Sequence, residues 1–114
     1  MRKLAAGFWI VGGVMHFVIP RQYEAIVPAS LHKWRKELVV ASGIAEAAGG
    51  VMVMPGSTRS TARWWLLATL AAVYPANIEM ALHPERYPKI PAAALWARLP
   101  LQFLFGWITW SGTE

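Results

Sequence analysis

What most limits the fold of this chain is a set of four apolar stretches, each close to the length that crosses a bilayer. They run from Leu4 to Pro20, Leu38 to Met54, Trp64 to His83 and Ala92 to Trp110, and a transmembrane helix needs about 20 such residues. Only 15% of the residues are charged, against about a quarter in an ordinary soluble domain. The seven Trp and nine Gly fit the same solvent, because indoles collect at headgroup level and glycines recur in apolar helices. The expected fold class is all-α: residues 1–114 form one domain, an integral membrane four-helix bundle with antiparallel neighbours. The expected location is a bacterial-type inner membrane, crossed several times.

The connections carry the punctuation of helix ends: Pro20-Arg21, Pro55-Gly56-Ser57-Thr58, and His83-Pro84 through Pro91. In the first, Tyr23, Ile26, Val27, Leu31 and Trp34 mix with Lys33, Arg35 and Lys36, which suits a short interfacial amphipathic helix. Pro28 interrupts that segment and would let a new helix start at Ala29. The first apolar stretch reads as a helix and not a signal peptide, because no small-residue cleavage site separates it from Pro20.

The net charge of +5 comes from short basic clusters between apolar runs, so anionic lipid headgroups are the expected partner and nucleic acid is not. Positive charge flanks both ends of the bundle, Arg2, Lys3, Arg59 and Arg63 at one, Arg21, Lys33, Arg35, Lys36, Arg86 and Lys89 at the other, so counting gives no orientation. There is no cysteine, which removes disulfides, thiolate metal sites and a thiol relay within these residues.

At 1.5 Å of rise per residue, reversing alternate helices brings His16, Ser42, Glu46, Asn77, Glu79, Arg98 and Gln102 into the same half of the bilayer. Ser42 with Glu46, and Arg98 with Gln102, are four apart and share a face. Gly12 leaves that face of helix one open. Ionised groups in hydrocarbon turn inward and pair, so Glu46 with Arg98 is the expected ion pair, completed by His16, Asn77 and Gln102. Glu79 points to another helix or to the interface. Pro75 and Pro100 sit inside helices three and four and free the Ala71 and Trp96 carbonyls. Ala41, Ala45 and Gly49, with Gly43, Ala47 and Gly50 nearby, form a small-residue stripe for helix packing.

The bland reading of the polar layer is register-fixing hydrogen bonds, each contributing about 0.6–2 kcal/mol. The sharper one is a site for a small molecule, a proton or a quinone. For His16 a satisfied core histidine outweighs a metal ligand, since no second His lies at its depth. Trp9, Trp64, Trp65, Trp107 and Trp110 read as belt anchors.

His16-Phe17 with Pro20, Ser42-Gly43-x-x-Glu46, Pro55 and Thr58-Arg59, Pro75-Ala76-Asn77 and Arg98-Leu99-Pro100-Leu101-Gln102 together resemble the DoxX and DoxX-like family across nearly the whole chain. That resemblance implies a small four-helix membrane protein, accessory to quinone-linked or stress-response oxidoreductase complexes. It also implies that His16, Glu46, Asn77, Arg98 and Gln102 are the family's intramembrane polar positions.

The expected function is therefore a ligand-binding or accessory component, holding a quinone-like molecule and docking a membrane redox partner. A membrane chaperone with a structural polar layer is the alternative. A proton-coupled transporter is the second, requiring a homo-oligomer because four helices leave little room for alternating access. No nucleophile with a positioned base stands out, so the chain is not expected to act as an enzyme alone.

Overall fold

A computed structural model of the protein describes residues 1–88 and 90–114. Lys89, counted above among the flanking charges, lies outside the described residues. The described chain is all-helical: α1 (Arg2–Val18), α2 (Pro20–Ala25), α3 (Arg35–Val53), α4 (Arg59–Leu82) and α5 (Ala92–Gly112), with 3-10 turns at Ala29–Trp34 and Pro84–Arg86. Prolines set the borders. Pro20 occupies the first turn of α2, Pro84 that of the second 3-10 turn, and Pro28 and Pro91 precede the first 3-10 turn and α5. In those places the missing N–H costs nothing.

The long helices form a ring in which every neighbour is antiparallel. Between α1 and α3 the backbones nearly touch. A Cβ added at Gly13 would lie 2.6 Å from the Gly43 carbonyl and the Ala47 amide, and one at Gly43 would lie 2.8 Å from His16 Cβ. The small-residue stripe divides: Gly43, Ala47 and Gly50 meet α1, whereas Gly49 meets Leu66 and Trp65 on α4. Opposite, α4 packs on α5 through Arg63 with Thr113 and Gln102 with Leu70.

Two apolar clusters hold the ends. Ala5, Ala6, Trp9, Val53, Ala62, Leu66 and Leu70 fill one, and Met80, Ala81, Tyr87 and Leu95 the other. Trp9 belongs to the first cluster and is no belt anchor: it is 3% exposed and donates its indole N–H to Thr109 Oγ1 at 2.9 Å. The other six indoles are exposed.

Four membrane spans were expected, but among the described residues one helix, α4, is long and apolar enough to cross a membrane. The reasons are local. Helix α1 has 17 residues; α3 opens on Arg35-Lys36-Glu37 and carries Glu46; α5 dilutes its apolar residues with Arg98, Pro100, Gln102 and three indoles.

Candidate functional site

Between the two apolar clusters lies a cleft of about 810 Å³, within the range of small-molecule pockets. All six predicted polar residues line it: His16, Ser42, Glu46, Asn77, Arg98 and Gln102. The six side chains thus surround one space, but their pairing differs from the one read in the sequence.

Glu46 pairs with His16, Oε2 to Nε2 at 3.0 Å, not with Arg98. The other ring nitrogen, Nδ1, lies 2.7 Å from the Gly12 carbonyl, one helical turn back. A carbonyl and a carboxylate both accept, while a neutral imidazole offers one N–H. The two contacts are satisfied together when the pair holds one extra proton, as imidazolium with carboxylate or imidazole with carboxylic acid. Either way the pair has no net charge. Gly12 makes the arrangement fit, since a Cβ there would sit 3.2 Å from Glu46 Oε1.

Arg98 has no carboxylate within ion-pair distance among the described residues; its Nη1 lies 3.4 Å from Met80 Sδ, a weak acceptor. Asn77 is buried and donates to Gln102 Oε1 at 3.3 Å, and Gln102 Nε2 donates to the Leu70 carbonyl at 2.6 Å. The backbone oxygen used is therefore Leu70's, one residue before the Ala71 carbonyl that Pro75 leaves without its N–H. Ser42 lines the wall, and Glu79, also on the lining, pairs with Arg86 at 3.0 Å.

Tyr23 is the member that pattern reading missed. Assigned to a surface segment, its ring instead stacks on His16 with centroids 3.9 Å apart. Burial, and then the nearby Glu46 charge, pushes its phenol up, so it remains a protonated donor. The available signal was Pro20, which starts α2 immediately after α1 and folds Tyr23 back over the last turn of α1.

A family model described as a domain of unknown function, DUF8561, matches residues 4–113. The chain belongs to this family. The match overturns the DoxX resemblance, and the redox and stress-response association that rested on it goes too. Some of the suggestive motifs have local work in this DUF8561 chain: Thr58 Oγ1 and Arg59 bond the Met52, Val53 and Met54 carbonyls at 2.7–3.0 Å and cap α3. No curated protein and no solved structure matches the chain.

Proposed function

We propose that this DUF8561 bundle sits in a lipid bilayer and binds an amphiphilic small molecule in its central cleft. The observation that carries the reading is the convergence of His16–Glu46, Tyr23, Asn77, Arg98 and Gln102 on one cavity inside a bundle whose outside is apolar. Among the described residues, twenty-three large apolar side chains are exposed, far beyond the isolated patches of a soluble monomer. The buried core numbers twelve, four of them alanines. Exposed indoles flank the bundle at both ends, Trp34 and Trp96 at one, Trp64, Trp65, Trp107 and Trp110 at the other, as in headgroup belts.

In such a site the polar groups orient a head group while Phe8, Leu70, Leu101 and Phe105 receive an apolar body.

Solvent extraction of protein purified in mild detergent should yield a stoichiometric small amphiphile. Ala76→Trp, which fills the cleft, should lower its yield at least about tenfold. An empty wild-type protein, or an unchanged yield in the filled variant, rejects the binding site. Membrane embedding has its own test, made simple by the absence of cysteine. Ser57→Cys and Ala29→Cys lie at opposite ends of the bundle. A membrane-impermeant maleimide should label one from each side, and labelling of both from one side rejects the span.

A further inference from the structure

The cleft has a charge that nothing among the described residues balances. Two carboxylates line it, Glu46 and Glu79. Glu46 is held by His16, in a pair that carries no net charge once both ring nitrogens are satisfied. Glu79 is held by Arg86. Arg98 lines the same cavity, partly buried, with only the Met80 thioether against its guanidinium. Arginine stays charged in proteins, and a charge inside an apolar bundle is costly unless a counter-charge reaches it. Four of its five guanidinium N–H groups remain to be used.

We infer that the cleft selects an anionic amphiphile, whose carboxylate or phosphate head binds Arg98 and whose chain lies along the apolar walls. This deepens the binding reading above and rests on it. The guanidinium fork matches the oxygens of either anion in two parallel bonds. Tyr23, within electrostatic reach of both Glu46 and Arg98, adds a neutral donor on the same side. The His16–Glu46 pair, being neutral, does not repel the head group, whereas a free Glu46 carboxylate would.

The test compares two probes of equal chain length, oleate and oleyl alcohol, by retention of radiolabelled probe on protein held in dodecyl maltoside micelles. Wild type should retain oleate at least about tenfold better than the alcohol, the scale of one charge-assisted contact. Arg98→Gln should lose that preference while still retaining the alcohol, and Arg98→Lys should keep most of it. A thermal melt of each variant verifies folding, and Arg98→Lys carries the test if Arg98→Gln is unstable. Competition separates the sources of the anion: displacement of oleate by phosphatidylglycerol identifies a lipid headgroup, and resistance to it a free fatty acid. Equal retention of both probes by wild type, or a preference surviving in Arg98→Gln, overturns anion selection and leaves cleft binding standing. Retention of neither probe overturns both.

Discussion

Single side chains in this protein are explained mainly by which acceptors they satisfy. His16 is the clearest case, because its two nitrogens face two acceptors 2.7 and 3.0 Å away. Replacing it with Ala leaves the Glu46 carboxyl without its partner, and melting should show a loss of about 1–3 kcal/mol, the cost of an unsatisfied buried polar group. Glu46→Gln should cost less, since the amide N–H₂ or oxygen can still meet Nε2. Glycines divide just as sharply. Gly13→Ala should destabilise by about 1–3 kcal/mol through overpacking, because its Cβ would meet backbone atoms of α3. Gly7→Ala, with nothing within 4 Å, should be neutral or slightly stabilising, as expected from helix propensity. The common depth of His16, Ser42, Glu46, Asn77, Arg98 and Gln102 was legible in the sequence; the place of Tyr23 beside them and the pairing were not. Depth along a helix follows from counting residues, whereas Glu46 choosing His16 over Arg98 depends on the close crossing of α1 and α3 at Gly13 and Gly43.

At the scale of elements, the sequence located all four long helices to within five residues at each end, because prolines and the Pro55–Thr58 turn stop them chemically. It did not show that Tyr23 folds inward, since alternation in a short segment fixes a face only once its neighbours are known. Nor did it show the second polar chain at the far end, where Trp9 meets Thr109 and Arg63 meets Thr113 and stacks 3.9 Å over Trp110. Arg63→Ala should remove about 0.5–1 kcal/mol, the worth of an exposed cation–π contact. Amide exchange should register it as faster opening of the last turn of α5. Trp9→Phe should cost about 1 kcal/mol for its hydrogen bond, with Thr109 still bonded to the Phe105 carbonyl.

Across the whole molecule, the balance of buried and exposed apolar surface decides the setting in which the protein is stable. With twelve buried apolar side chains against twenty-three large exposed ones among the described residues, the bundle should stay monodisperse in detergent and aggregate on its removal, a contrast that size-exclusion chromatography reads directly. By length and mean hydropathy α4 alone is long and apolar enough to cross a membrane, because α1 is short and because Arg98, Gln102 and Glu46 count against α5 and α3 whichever way they face. Their positions on the inner cleft remove that cost from the outer faces of α3 and α5.

The walls of the cleft also differ in compliance. His16 and Glu46 stand on two helices clamped backbone to backbone at Gly13 and Gly43. Asn77, Arg98 and Gln102 stand on two helices that each contain an internal proline, Pro75 and Pro100, and each proline deletes a rung of its helical ladder. One wall behaves as an anvil and the other as a spring leaf. A guest bound there as proposed would meet its give on the proline-bearing side, leaving the register of the His16–Glu46 pair undisturbed.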